Sequence, residues 1–141
     1  MIAVLQRVSG QALPQIQISI TADSKEHFAI GSQQGKLQVK ASSPVAATYG
    51  AYRYLQQQGQ LSVSWEGNRV DIAEQFAQTP DMAGDALFRL RAYMNVCTFG
   101  YSTPFWDWTR WQQEIDWMAL HGINQPLAME GQEYVWQREQ L

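Results

Sequence analysis

The stretch from Phe88 to Gln132 constrains the fold most, because strand-like and helix-like patterns alternate along it. Phe88 to Phe99 alternates in polarity and predicts a strand. Pro104 to His121 places apolar side chains at helical spacing, and Ile123 to Met129 predicts a second strand. A strand–helix–strand order predicts two parallel strands joined by a crossover. Such a pair needs further layers, because both faces of a parallel sheet must be covered.

The strand predicted from Phe88 to Phe99 has two unlike sides. We expect its apolar side to pack against helices: Phe88, Leu90, Ala92, Met94 and Val96. The other side carries Arg89, Arg91, Tyr93, Asn95 and Cys97. In a (β/α)₈ barrel, the carboxyl ends of the strands supply the active site. The pattern therefore indicates a site near Asn95 and Cys97.

The preceding residues predict a small α/β domain with one sheet and a covering helix. The expected elements are a helix at 2–9, strands at 15–21, 28–30, 36–41, 61–65 and 70–72, and a helix from Ser43-Pro44 to Gly59. Gly31 and Gly35 are expected to bracket the hairpin turn, and Glu66-Gly67-Asn68 to form the next turn.

The expected domain division is 1–87 for the small domain and 88–141 for the second unit. Residues 73–86 show no clean period and are interpreted as a linker. A (β/α)₈ barrel needs about 250 residues, whereas 141 − 87 leaves 54. We therefore expect the first βα units of an incomplete barrel, in a chain that is cut off after them.

Composition narrows the classes of function. The net charge of −3 offers no basic surface for nucleic acid. No run approaches the roughly 18 apolar residues of a membrane span. The first residues do not have the pattern of a signal peptide, so none is expected there, and the lone Cys97 excludes an internal disulfide framework. Neither observation predicts the compartment. His27 and His121 lack metal-ligand spacing, and no phosphate-binding loop is present, so we expect no metal or cofactor.

Three runs then carry a specific resemblance. They are NVCTFGYS at 95–102, WDWTRWQQEIDWMALHGIN at 106–124 and PLAMEGQEYVWQ at 126–137. Their order and spacing resemble the α-N-acetylglucosaminidase family, glycoside hydrolase family 89. The upstream PVAATYGAYRYLQQQGQLSVSW resembles the end of that family's small N-terminal domain.

The resemblance implies a retaining glycoside hydrolase that removes terminal α-linked N-acetylglucosamine from glycans such as heparan sulfate. Retaining enzymes use two carboxylates, one as nucleophile and one as acid/base. By resemblance both are glutamates that lie beyond the position of Leu141, so no catalytic residue is expected in this chain and it should be inactive alone. The resemblance also implies a periplasmic, secreted or lysosomal location.

The resemblance further implies substrate-binding residues. Asn95, Cys97 and Tyr101 match positions that line the family's sugar pocket, and Gln132 with Glu133 follows the second strand. Glu130, Met129 and Gln125 depart from the family pattern, which affects fine substrate preference.

Each candidate also has a structural interpretation. Asn95 could satisfy backbone groups at a strand end, and Tyr101 could cap a loop. Cys97 is interpreted as a small buried thiol rather than a nucleophile, because no base is tied to it. The tryptophan-rich helix is interpreted as core through Trp108, Trp111, Ile115 and Met118, and Asp107 as an N-terminal helix charge. Asp116 with Arg110 is expected to form a surface charge pair.

The leading hypothesis is therefore the N-terminal segment of a glycosidase whose partner is an N-acetylglucosamine-terminated glycan. The alternative is a non-catalytic carbohydrate-binding or assembly module, whose partner would be the missing remainder of the barrel.

Overall fold

The computed structural model describes residues 2–127. Four helices are present there: α1 (Ile2–Ser9), α2 (Pro44–Gln57), α3 (Thr98–Tyr101) and α4 (Trp108–Leu120), with a 3₁₀ turn at Thr103–Phe105 before α4. The strands are β1 (Ile16–Ile20), β2 (His27–Gln33), β3 (Lys36–Ala41), β4 (Leu61–Ser64), β5 (Gly67–Val70), β6 (Met82–Asp85), β7 (Ala92–Tyr93) and β8 (Gln125–Pro126). The predicted α/β class is confirmed.

The main sheet has the strand order β1-β3-β2-β6 and is covered by α2. Strands β1 and β3 run parallel, whereas β3–β2 and β2–β6 are antiparallel. Helix α2 begins as predicted. Ser43 Oγ accepts the Ala46 N–H at 3.0 Å, and Pro44, which has no N–H, leaves no unpaired donor at the first helical position. The core between helix and sheet includes Leu37, Ala47 and Leu55, which are fully buried.

The linker predicted over 73–86 is wrong, because this segment completes the main sheet. Residues 82–85 form β6, and the buried Phe76 donates its N–H to Gly35 O at 3.0 Å. The polarity pattern failed here because Gly84 is a packing residue. A Cβ on it would lie 2.8 Å from Phe28 Cζ, so the aromatic ring takes the space of a side chain. The division into domains at residue 87 stays a prediction.

Both hairpin turns differ from the prediction. Gly31 lies inside β2, paired with Gln38, and the turn is formed by Gln34 and Gly35, whose φ angles are 52° and 75°. In the second hairpin, Trp65 and Glu66 form the turn, so β5 begins at Gly67, earlier than expected.

The βαβ unit is present, with β7 and β8 parallel and Ala92 paired with Gln125. The strands are much shorter than predicted, and the two sides of β7 are reversed. Tyr93 faces α4, whereas Ala92 is exposed, and the expected apolar side is exposed at Phe88, Leu90 and Val96. The polar side packs on the helix because its polar groups find partners there, a possibility that apolar periodicity does not reveal.

The buried face of α4 was also predicted wrongly. Trp108 is 68% exposed and Ile115 is 44% exposed, whereas Glu114 and Asp116 are 1% and 3% exposed. Each buried carboxylate has an arginine partner, which is the condition for burying a charge. Asp116 is therefore no surface charge, and its partner is Arg7 of α1 rather than Arg110. Gly122 follows the end of the helix with φ 75°, a left-handed conformation that glycine adopts readily.

Candidate functional site

The strand-end loop, residues 94–101, follows the carboxyl end of β7. Met94 begins it with φ 72°, a left-handed conformation that non-glycine residues rarely adopt. This residue turns the chain out of the strand. The next seven residues then carry all three pocket candidates that the structure describes: Asn95, Cys97 and Tyr101.

Asn95 organises the loop through its side chain. Its Oδ1 accepts the N–H groups of Cys97 at 3.0 Å and Thr98 at 3.2 Å. Thr98 Oγ1 in turn donates a hydrogen bond to Asn95 O and accepts one from the Asn95 N–H. Asn95 thus satisfies backbone groups at the strand end, as its structural interpretation predicted, but only Oδ1 of its side chain takes part. The Nδ2 donors make no hydrogen bond within residues 2–127 and the residue is exposed.

Cys97 and Tyr101 both lie open to solvent. The thiol is free and exposed, so the expectation of a buried thiol is wrong: the short helix α3 lifts this position away from the protein interior. Tyr101 is 83% exposed, and its hydroxyl has no hydrogen bond to any described residue. It therefore does not cap the loop, and its ring and hydroxyl are available to a ligand.

Beneath the loop, Tyr93 is tied to α4. Its hydroxyl donates to Glu114 Oε1 at 2.8 Å, and Arg110 Nη2 donates to Glu114 Oε2 at the same distance. Burial, the hydrogen bond to Glu114 and the negative charge of Glu114 together raise the pKa of Tyr93 to about 12. The ring also packs beside Trp117, with centroids 5.2 Å apart. The last strand residue before the loop is consequently fixed.

This anchoring was missed at the sequence level. Arg110 and Glu114 are four residues apart on one helix, the spacing at which side chains pair. That signal was available, but the arginine was assigned to Asp116. Nothing in the sequence linked Tyr93 to the pair. Asp107, in contrast, caps α4 as expected by accepting the Arg110 N–H at 2.8 Å.

The other residues singled out in the sequence cannot be placed beside this loop. Gln132 and Glu133, and the departures Met129 and Glu130, lie outside the described residues. A groove of about 650 Å³ lies between α1, the β4–β5 hairpin and α4, and Asn95, Cys97 and Tyr101 are not among its lining residues. Within 2–127 no three His, Cys, Asp or Glu side chains cluster as metal ligands. No helix in that range has the length and apolar character needed to cross a bilayer.

Comparison with known families covers most of the chain. Residues 1–77 match the model of the α-N-acetylglucosaminidase N-terminal domain, and residues 91–140 match that of the α-N-acetylglucosaminidase TIM-barrel domain. The human α-N-acetylglucosaminidase is 43% identical over 112 residues, which is 79% of this chain and 15% of the human protein.

Solved structures agree with the sequence families. A family 89 glycoside hydrolase from Clostridium perfringens, in complex with its substrate GlcNAc-α-1,4-galactose, superposes with a TM-score of 0.86 at 25% identity. The same enzyme in complex with 2-acetamido-1,2-dideoxynojirmycin gives 0.84 at 26% identity. Both matches cover 96% of this chain and 16% of the clostridial chain. The chain therefore belongs to the α-N-acetylglucosaminidase family, glycoside hydrolase family 89, and carries sequence of its N-terminal domain and of its TIM barrel.

Proposed function

We propose that the chain serves a retaining glycosidase that removes terminal α-linked N-acetylglucosamine from glycans, as the segment that supplies the first contacts of the sugar pocket. One observation carries the proposal: the strand-end loop presents Asn95 and Tyr101 at the carboxyl end of β7, in a parallel strand pair covered by the family's barrel match. Active sites of (β/α)₈ enzymes lie at that end of the strands.

The exposed groups of the loop suit a sugar. Asn95 Nδ2 has two donors for hydroxyl or amide oxygens, held in place because Oδ1 is engaged by the backbone. Tyr101 offers an apolar ring for stacking and a hydroxyl for a hydrogen bond. Cys97, which lies between these two residues in the sequence, offers the sugar a small exposed thiol. Gln132 and Glu133, which follow β8 in sequence and lie outside the described residues, complete the proposed set.

In this proposal the chemistry is carried by the two glutamates that the family resemblance implies beyond the position of Leu141. A retaining pair needs two carboxyl groups about 5–5.5 Å apart. Glu114 does not qualify, because it is buried behind β7 and already bound to Tyr93 and Arg110. We assign no catalytic role to the glutamates present.

The sugar is proposed from the relatives. The human relative is an α-N-acetylglucosaminidase, and the clostridial enzyme is described with GlcNAc-α-1,4-galactose as its substrate. A terminal N-acetylglucosamine is common to both descriptions. Heparan sulfate as the natural glycan and a periplasmic, secreted or lysosomal location extend the same proposal.

The test uses the 141-residue chain with isotope-labelled asparagine side chains. We expect N-acetylglucosamine to shift the Asn95 amide signals saturably at millimolar concentration, whereas glucose does not. Asn95→Ala should abolish binding, and Asn68→Ala, at an exposed asparagine of β5, should leave it unchanged. Equal responses to both sugars, or binding that survives Asn95→Ala, would exclude the assigned role. The chain should show no turnover of an aryl α-N-acetylglucosaminide.

The alternative, an assembly module, is favoured by a different observation. Leu87, Phe88 and Leu90, on either side of the predicted domain boundary, are 91%, 71% and 58% exposed. Exposed apolar side chains this close together in sequence favour an interface, and further βα units would cover them. Analytical ultracentrifugation separates the cases: reversible self-association, relieved by Leu90→Gln, favours assembly, and a monomer favours the pocket role alone.

A further inference from the structure

Four side chains connect the β4–β5 hairpin of the small domain with the strand-end loop. Trp65, at the hairpin turn, lies under the Arg110 guanidinium, whose Cζ is 5.5 Å from the ring centroid. Arg110 pairs with Glu114 at 2.8 Å, and Glu114 accepts the Tyr93 hydroxyl at 2.8 Å. We call this set the Trp65–Tyr93 chain.

The middle of the Trp65–Tyr93 chain has little freedom. Glu114 is 1% exposed, so its charge depends on both donors for compensation. Arg110 is held from two sides, because it also lies over Trp106 with Cζ 3.9 Å from the ring centroid. Removing one member would therefore leave a buried charge or a polar group without its partner.

Tyr93, the last member of the Trp65–Tyr93 chain, is followed directly by a residue with strained backbone. Met94 holds φ 72°, a conformation that persists only where its surroundings impose it. Tyr93 is fixed on one side of Met94 by Glu114. On the other side, Asn95 is fixed by its hydrogen bonds to Cys97 and Thr98. Loss of the Tyr93 anchor would let Met94 relax and Asn95 turn.

We infer that Tyr93 and Glu114 are positioning residues that hold Asn95 in its sugar-facing orientation, with Trp65 bracing them from the small domain. The inference rests on the proposed function only in assigning sugar contact to Asn95. It gives the small domain a role at the site, although none of its residues belongs to the strand-end loop.

The test is amide hydrogen exchange in the 141-residue chain. The Cys97 and Thr98 N–H groups report directly on the Asn95 cap, because both donate to Asn95 Oδ1. Tyr93→Phe removes only the hydroxyl, and we expect about tenfold faster exchange at these two amides. Glu114→Gln keeps an acceptor for Tyr93 but loses the charge pair, so a smaller increase, about threefold, is expected.

Tyr54→Phe is the matched control, because the Tyr54 hydroxyl also makes one partly buried hydrogen bond, to Thr79 Oγ1 at 3.0 Å, and both residues belong to the small domain. The inference is overturned if Tyr93→Phe leaves exchange at Cys97 and Thr98 unchanged, or if Tyr54→Phe accelerates it equally. If Tyr93→Phe does not fold, Glu114→Gln decides by the same two amides.

The sugar titration separates this inference from the proposed function. Faster exchange in Tyr93→Phe without any binding of N-acetylglucosamine by the wild-type chain would remove the proposed function and keep the positioning role. Binding by the wild type that Tyr93→Phe weakens by less than twofold, with unchanged exchange, would do the reverse. If both ideas hold together, Tyr93→Phe weakens binding of N-acetylglucosamine about threefold to tenfold.

Discussion

Tyr93 packs against α4 and directly precedes the strand-end loop, so it links the packing of the helix to the proposed site. Its hydroxyl is protonated in the folded protein because burial and the Glu114 carboxylate both oppose a phenolate. Glu114 in turn is buried only because Tyr93 and Arg110 satisfy it. A tyrosine with this partner is therefore both a stabilising group and a titratable one.

The raised pKa predicts a loss of stability in alkali. The pKa of Tyr93 in the folded protein is about 12, above the ordinary tyrosine value of 10.0, so the fold favours the protonated form. Its contribution is complete below about pH 10 and is lost as pH rises towards 12. Urea unfolding measured between pH 9.5 and 12 should show a steeper decline for the wild type than for Tyr93→Phe. Parallel declines would show that another group is responsible.

Single residues also show which features of the site can be predicted from the sequence. Asn95 was identified by resemblance and by its place at a strand end, and the structure shows how its side chain is held. The exposure of Cys97 was not predictable, because a four-residue helix has no readable periodicity. Of the two partners of Glu114, Arg110 was signalled by its spacing of four residues, whereas Tyr93 was not predictable, since it lies on a strand 21 residues earlier.

Among the elements, local signals were reliable and long-range pairings were not. The Ser43-Pro44 start of α2, the β3 alternation and the Gly122 end of α4 all follow from residues within a few positions. Strand β6 could not be recognised, because Gly84 makes room for a ring from another strand. The orientation of α4 was mistaken because its buried face carries two carboxylates in place of apolar side chains.

The contact between α1 and α4 supplies a prediction at this scale. Arg7 binds Asp116 through Nε at 2.9 Å and Nη2 at 2.5 Å, and Asp116 is buried. Arg7→Ala should lower the free energy of unfolding by about 2 kcal/mol, less than for a fully buried pair because the arginine side chain is 41% exposed. Chemical denaturation measures the difference.

Two further variants test the cause. Asp116→Asn added to Arg7→Ala should recover about half of the loss, because it removes the unpaired charge. Arg53→Ala, at an exposed arginine of α2 bonded to Gln56, should change stability by at most about 0.5 kcal/mol. Equal losses for Arg7→Ala and Arg53→Ala would mean that the Asp116 pair adds nothing.

At the scale of the whole molecule, two ion pairs within residues 2–127 join the small domain to the βαβ unit. Arg7–Asp116 links α1 to α4, and Arg91 binds both Glu26 and Gly122 O. These contacts hold β7 and α4 against the small domain, and Trp65 adds a third point of contact. The strand-end loop therefore lies on a scaffold built from both parts of the chain.

The central claim is that this scaffold presents a sugar-binding loop of a family 89 glycosidase. It is tested most directly by exchanging the matching segment of human α-N-acetylglucosaminidase for this chain and assaying hydrolysis of an aryl α-N-acetylglucosaminide. We predict an active hybrid whose kcat/KM falls about 10- to 100-fold with Asn95→Ala, while Asn68→Ala changes it little. A folded hybrid without activity, or one indifferent to Asn95→Ala, would contradict the account.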